Sequence, residues 1–187
     1  MVLEIGAELE MLRTAELSDV LEGVDPKIFE ATLSLAVELA AEGREGRPAG
    51  ALFVLGDTDV VMQYSRQLII NPFRGYPEDD RNILDPQLRE TVKEFSSLDG
   101  AFIIRGDGTI EAAGRHLNAA YDGDELPRGL GSRHAAAAGI TSISKAIAIA
   151  LSESTGTVNV FKGGRVLVKI EKSPSAPKRL PEHHHHV

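Results

Sequence analysis

The six residues Ala146-Ile147-Ala148-Ile149-Ala150-Leu151 are apolar without a break. A strand with one wetted face alternates polar and apolar positions, so an unbroken run of this length reads as a central strand covered on both faces. Such a strand needs helices on either side of its sheet, which restricts the chain to an α/β arrangement. Ala51-Leu52-Phe53-Val54-Leu55, stopped by Gly56-Asp57, and Ala101-Phe102-Ile103-Ile104 are shorter runs of the same kind. The covering helices announce themselves by their starts. Asp25-Pro26 and Asp85-Pro86 each place a side-chain acceptor at the N-cap and a proline at the first helical position. After the first, Phe29, Leu33, Ala36 and Ala40 form one apolar row that Ile28, Leu35 and Leu39 widen; after the second, Leu88, Val92 and Phe95 recur at helical spacing up to Ser97.

The remaining segments are read around that frame. Met1 to Val20 form a helix-like stretch with Ile5, Leu9 and Leu12 on one stripe, and Gly23 breaks it. Residues 43–48 read as a mobile connection, residues 60–65 fit a helix or a strand equally, and the composition of 73–81 is that of a surface loop. Arg105-Gly106-Asp107-Gly108 is a hairpin turn in which Asp-Gly supplies the positive-φ positions, with Thr109 to Ala113 as the return strand. Thr157 to Phe161, the turn Lys162-Gly163-Gly164 and Arg165 to Ile170 form a last hairpin. Beyond Lys172, Pro174, Pro177 and Pro181 oppose regular structure, and His183 to His186 have the look of a purification tag, so they are kept out of metal arguments. The expected division is an N-terminal helical segment over 1–47, one α/β domain over 48–171 and a disordered tail over 172–187.

Composition removes several classes of function. The 187 residues, 42% of them hydrophobic, suffice for one full core. No run approaches the roughly 18 to 20 apolar residues of a membrane span, and no signal peptide precedes the first charges. A cytoplasmic protein without a membrane partner is expected. With no cysteine, disulfide and thiolate chemistry are excluded. A net charge of −8 argues against a general nucleic-acid surface, which needs clustered Lys and Arg. Any anionic ligand must then be held locally.

Three short polar clusters adjoin these elements, so that three loops could converge on one ligand. In Leu98-Asp99-Gly100-Ala101, one carboxylate stands just ahead of a buried strand, and Gly100 opens the backbone to close approach; Asp99 is either a turn cap or a ligand group. Gly131-Ser132-Arg133-His134 leads into four alanines, so Ser132 or its neighbour caps a helix whose free N–H groups face the loop. A phosphate fits there, and the Arg133 fork suits its oxygens. His134 either orients a neighbour, touches phosphate or is an ordinary polar residue of the first turn. In Ser152-Glu153-Ser154-Thr155-Gly156, Ser152 and Glu153 follow the C-terminal end of the central strand, where open α/β sheets place ligand groups. Glu153 is either a second acidic partner for a metal or a solvated turn residue.

Taken together and in this order, the clusters resemble the diadenylate cyclase (DAC) domain, the ATP-condensing domain also found in the DNA integrity scanning protein. Asp99-Gly100-Ala101 matches the family's D-G-A, and Ser152-Glu153-Ser154-Thr155-Gly156 its S-E-x-T-G. Gly131-Ser132-Arg133-His134-Ala135 matches its G-T-R-H-R with Ser for Thr and Ala135 in place of the second Arg. The resemblance covers about Pro48 to Glu171 and implies a central mixed β-sheet flanked by helices, here with an N-terminal helical extension. It implies condensation of two ATP into cyclic di-AMP and two pyrophosphate by a face-to-face homodimer, with higher assembly open. Asp99, Arg133 and His134 would be catalytic. Gly100, Ala101, Leu117, Gly131, Ser132, Arg133, His134, Ser152 and Glu153 would contact ATP. Asp99 and Glu153 would hold Mg²⁺ or Mn²⁺. Leu117 corresponds to the family's adenine-contacting leucine and is equally an ordinary core position; Tyr121 is a further candidate for stacking on a base. Ala135 keeps a second reading open, a catalytically silent ATP- or c-di-AMP-binding regulatory domain of the same fold. A third is an interaction domain in which Asp99 and Arg133 pair with each other.

Overall fold

The computed structural model describes residues 17–120 and 131–172. The stripe of Ile5, Leu9 and Leu12, Tyr121 with the acidic turn after it, and the proline-rich tail lie outside the described residues. The elements in order are α1 (Leu17–Val20), α2 (Pro26–Glu42), β1 (Ala51–Leu55), α3 (Thr58–Gln63), β2 (Ser65–Gln67), a 3₁₀ turn (Glu78–Asp80), α4 (Pro86–Phe95), β3 (Ala101–Ile104), β4 (Ile110–Leu117), α5 (Ser132–Ile143), β5 (Ile147–Leu151), β6 (Val158–Lys162) and β7 (Arg165–Ile170). Seven strands form one sheet in the order β2-β4-β3-β1-β5-β6-β7. Only β1 and β3 pair in parallel; the other neighbours are antiparallel, so the sheet is mixed as expected.

The continuous apolar runs are explained by two different cores. On one face Phe53, Leu55, Phe102, Ile104, Ile147, Ile149 and Leu151 meet Ile28, Phe29, Leu33 and Leu39 of α2 and Val92 of α4. On the other, Leu52, Val54, Ala146, Ala148 and Ala150 meet Ala137, Ala138 and Ile140 of α5. Alternation along β5 therefore sorts by size, large residues toward α2 and alanines toward α5. Alanine against alanine lets the α5 backbone approach the sheet closely. Helix α2 is thus packed into the sheet's core, so the stretch before residue 47 contributes one of its covering layers.

The caps behave as their residues dictate. Asp25 and Asp85 accept hydrogen bonds from the N–H groups of Lys27 and Gln87 at 2.9 Å, ahead of Pro26 and Pro86. Helices α2 and α4 are also braced by charge. Buried Lys93 lies 3.1 to 3.4 Å from carboxylates of Glu38, Glu42 and Glu90. Burial works against its charge, but the hydrogen bonds, Glu38 foremost, prevail and raise its pKa above the usual lysine value.

Four local expectations are revised. The ambiguous stretch 60–65 divides between α3 and β2. The return strand after the hairpin runs to Leu117, because Arg115, His116 and Leu117 pair with β2. In the hairpin turn only Gly108 has positive φ; the Asp107 carboxylate accepts from the Thr109 N–H at 3.0 Å and keeps its own backbone in the ordinary region. The connection expected to be mobile is closed: Arg44 and Arg47 exchange backbone hydrogen bonds of 2.8 Å across Glu45 and Gly46, both at positive φ. The signal was a Glu-Gly pair, which suits a two-residue turn when flanked by residues able to pair. Among the described residues no helix is long and apolar enough to cross a membrane.

The alanine layer predicts a size limit. Ala148→Leu forces a larger side chain between β5 and α5 and lowers stability by about 1 to 3 kcal/mol, whereas Ile149→Val, on the face of large side chains, costs about 0.5 to 1.5 kcal/mol. Urea unfolding of both variants checks this, and an Ala148→Leu protein as stable as the parent contradicts close packing there.

Candidate functional site

One end of the sheet gathers the three polar clusters. The N-terminal ends of β1 and β3 and the C-terminal ends of β4 and β5 meet there, with Ala51 opposite Leu151 and Ala101 opposite Arg115. Helix α5 starts at the same end, runs away along the alanine face and returns the chain through β5 to Ser152. Ser132 and Ser152, far apart along the chain, therefore reach a common edge.

Asp99 arrives on the turn that follows α4. Gly100 makes this possible: its φ is 95°, and a Cβ there would lie 2.8 Å from the backbone N and O of Arg115. The chain crosses β4 at a distance no side chain permits. The Asp99 carboxylate is exposed and has no hydrogen-bond or ion-pair partner among the described residues. It lines a cavity of about 510 Å³ together with Gly100, Ala101, Leu117, Ser132 and Arg133. Leu117, nearly buried, forms part of the wall.

Gly131, the neighbour of Ser132, takes the N-cap position in extended conformation, and no side chain caps α5. The N–H groups of Ser132 and Arg133 precede the first intrahelical bonds, which run from His134 and Ala135 to the Gly131 carbonyl. An uncapped helix start whose first donors are free among the described residues is a kind of end that suits an anion. Arg133 stands at its centre and lines three adjoining cavities: the one with Asp99, a second of about 480 Å³ with Gly131, Ser132, His134, Ser152, Glu153 and Pro48, and a third toward the loop after α2. Its guanidinium lies against Gly50, where a Cβ would overlap it, and its Nη1 is 3.8 Å from Glu153 Oε2. The internal pair between Asp99 and Arg133 that the interaction-domain reading would need is not formed; the weak contact of Arg133 goes to Glu153.

His134 is only 2% exposed. Its ring meets Phe161 edge-on at 5.8 Å, and its Nε2 is 2.8 Å from the amide nitrogen of Asn159. An amide nitrogen only donates, so Nε2 accepts and the imidazole is neutral. Burial first, then the neighbouring Arg133 charge, lowers its pKa below the ordinary histidine value. This bond ties the first turn of α5 to β6.

The structure brings Asp99 together with Leu117, Ser132 and Arg133, and brings Ser132, Arg133 and His134 together with Ser152 and Glu153. It does not bring Asp99 and Glu153 into one cavity: Arg133 stands between them. Among the described residues no three His, Asp or Glu converge into a metal cage. One exposed carboxylate fits a cation that arrives with phosphate oxygens, since Mg²⁺ keeps waters and needs only one or two protein carboxylates. Sequence reasoning missed Gly50, Arg115 and Asn159. A glycine just before a buried strand and a lone Asn inside an apolar hairpin strand were the available signals for the first and last. Arg115 donates to Ser65 Oγ and to the carbonyls of Ser65 and Met62, which anchors the β2 edge beside Asp99.

Residues 38–166 match the family model described as DAC, "DisA bacterial checkpoint controller nucleotide-binding". A diadenylate cyclase of Methanocaldococcus jannaschii is 40% identical over 171 residues, which is 91% of this chain and 54% of that protein. One of Haloferax volcanii is 43% identical over 147 residues, 79% of this chain and 54% of that protein. The chain spans about half the length of these curated relatives. Among solved structures, a DacA double mutant of Staphylococcus aureus is 28% identical with a TM-score of 0.54, over 75% of this chain and 84% of that one. A hypothetical membrane spanning protein of Bacillus cereus, 18% identical with a TM-score of 0.58 over 89% of this chain and 88% of that one, shares the fold.

Buried neutral His134 sets a pH dependence. Its folded pKa is depressed, so the unfolded chain takes up the proton first, and stability is lost as pH falls below the ordinary imidazole value of about 6.5. Thermal melting from neutral to mildly acidic pH should show this fall in the parent and a smaller one in His134→Gln; equal falls remove His134 as the cause.

Proposed function

The chain belongs to the diadenylate cyclase family, and from that premise we propose that it condenses two ATP into cyclic di-AMP and two pyrophosphate across a face-to-face homodimer. The observation that carries the reading is a single cavity lined by the Asp99 carboxylate, which has no partner among the described residues, by the uncapped start of α5 and Arg133, and by apolar Leu117. Those are the groups that a nucleoside triphosphate requires: a surface for the base, donors for phosphate, and one carboxylate near the sugar.

Chemically, the 3′-hydroxyl of one ATP attacks the α-phosphorus of the other. A new P–O bond forms, the bond to the β-phosphate breaks, pyrophosphate leaves, and the hydroxyl proton passes by way of Asp99 to solvent. The same exchange with roles reversed closes the ring. Asp99 orients the attacking hydroxyl and would be the protein ligand of a divalent cation, Mg²⁺ or Mn²⁺, which supplies charge neutralisation at the phosphates when bound. Glu153, beside Arg133 in the second cavity, acts on the guanidinium. Ser132 and Arg133 hold the phosphates by N–H groups, hydroxyl and guanidinium, where charge moves onto the leaving oxygen. His134 is a positioning residue, since its imidazole is buried and engaged by Asn159. The described residues of one chain form one cavity with Asp99, so two chains related by a two-fold axis would supply two nucleophiles and two electrophiles.

Ala135, exposed on the first turn of α5, favours the silent-binding reading, since this turn then offers an anion one guanidinium. Incubating the chain with ATP and Mn²⁺ or Mg²⁺ and separating the products by chromatography decides between them: cyclic di-AMP supports the cyclase, and bound but unconverted ATP the silent domain.

Two substitutions test the assigned roles. Asp99→Asn abolishes cyclic di-AMP formation and leaves the melting temperature within a few degrees; near-full activity takes Asp99 out of the mechanism. Arg133→Ala weakens ATP binding by about 1.5 to 3 kcal/mol, the worth of hydrogen bonds to a charged group, and calorimetric titration showing unchanged affinity removes it from the phosphate site.

A further inference from the structure

The third cavity that Arg133 lines is not used by the reaction as described. It measures about 290 Å³, roughly ten water volumes, and lies between the turn after α2 and the end of α4, lined among others by Arg44, Arg47, Ser96, Ser97, Arg133 and Glu153. It shares Pro48, Arg133 and Glu153 with the second cavity and Arg133 with the cavity that holds Asp99, so all three adjoin at the Arg133 side chain. Three arginines line it, and their circumstances differ. Arg44 is held by Glu90 and Glu94 of α4. Arg133 faces Glu153 at 3.8 Å. The Arg47 guanidinium, exposed, has no ion-pair or hydrogen-bond partner among the described residues.

The turn that carries Arg47 is built to hold it in place. Glu45 adopts a φ of 49°, uncommon for a residue with a side chain. The paired backbone bonds between Arg44 and Arg47 close the turn, and a Cβ at Gly43 would overlap the Arg47 carbonyl. A guanidinium on a closed turn loses less freedom on binding than one on a loose loop.

We propose that Arg47 is a further phosphate-binding residue. With Arg133 it forms, in this third cavity, a site for the terminal diphosphate of bound ATP and for the pyrophosphate that departs. This rests on the nucleotide reading above and extends it. The phosphate chain of one nucleotide carries several charges, whereas the first turn of α5 supplies one guanidinium; the second comes from the loop. Glu45, Glu94 and Glu153 also line the cavity and keep its net charge low, which suits a group that must leave after each turnover.

Binding of ATP, AMP and inorganic pyrophosphate to the full chain and to Arg47→Gln, measured calorimetrically, tests the site without requiring turnover. Arg47→Gln should bind ATP and pyrophosphate about tenfold more weakly, bind AMP as the parent does, and melt at the parent temperature; Arg47→Lys should recover part of the loss. Parent-like ATP and pyrophosphate affinities in Arg47→Gln overturn the Arg47 site and leave the nucleotide reading intact. An equal loss for AMP shows a general disturbance and also overturns it. A parent chain that binds none of the three ends the nucleotide reading, and this inference with it.

Discussion

The geometry of this molecule depends on how closely α5 lies on its sheet. Alanines on β5 face Ala137 and Ala138 of α5, with Ile140 as the one larger side chain that this part of the helix puts into the contact. The close approach continues past the strands: a Cβ at Gly139 would overlap the carbonyl of Ala119, where the chain leaves β4. A helix seated this tightly has little freedom to slide, so its N-terminal turn is held at one height relative to the strand ends. The large residues on the opposite face carry most of the hydrophobic stabilisation, since a buried Phe or Ile contributes about 1.5 to 3 kcal/mol and an alanine far less. One face stabilises the fold and the other sets the position of the site.

Holding a helix start at a sheet end leaves its charge to be managed. A chain with net charge −8 repels a polyanion at long range, so the attraction must be short-ranged and oriented. For the nucleotide proposed above, the N–H groups of Ser132 and Arg133, free among the described residues, would provide that, and the Arg133 guanidinium would reinforce them. Gly50 and Glu153 constrain the guanidinium from two sides, one by lacking a side chain and the other by charge. His134 contributes through its neutrality. A protonated imidazole beside Arg133 would be a buried positive charge next to another cation, and the Asn159 amide donor favours the form that avoids it.

What could be read from sequence follows from the range of the forces involved. Proline after a capping aspartate is a local matter, and both helices marked that way begin where the residues say. Unbroken apolar runs report burial on two faces, and β1, β3 and β5 are buried throughout. The three polar clusters reached a common edge because each adjoins an element end. The rest depends on neighbours remote in sequence. That Gly50 receives the Arg133 side chain, that Asn159 meets His134, and that Asp99 and Glu153 are parted by a guanidinium are properties of the packed sheet, invisible to spacing. The turn at 43–48 was misjudged for a different reason. Its charged and glycine-rich composition resembles that of a linker, and only the Arg44–Arg47 pairing reveals a closed structure.

The exposure of Asp99 beside the start of α5 is a feature to which the fold alone gives no purpose. Four other aspartates beside turns of this chain are engaged: Asp25 and Asp85 cap helices, Asp57 accepts from the Lys145 N–H at 2.7 Å, and Asp107 takes the Thr109 N–H and the Arg105 guanidinium. Asp99 follows α4 on a turn shaped by Gly100 and accepts from none of the described groups. A turn residue whose role was structural would be expected to satisfy a nearby N–H, as the other four do. Ser132 and Arg133, which carry donors, line the same cavity as the Asp99 acceptor. Donors and an acceptor that face one volume without meeting call for a ligand carrying both anionic and hydroxyl groups, and a nucleotide has phosphates and a ribose in that relation.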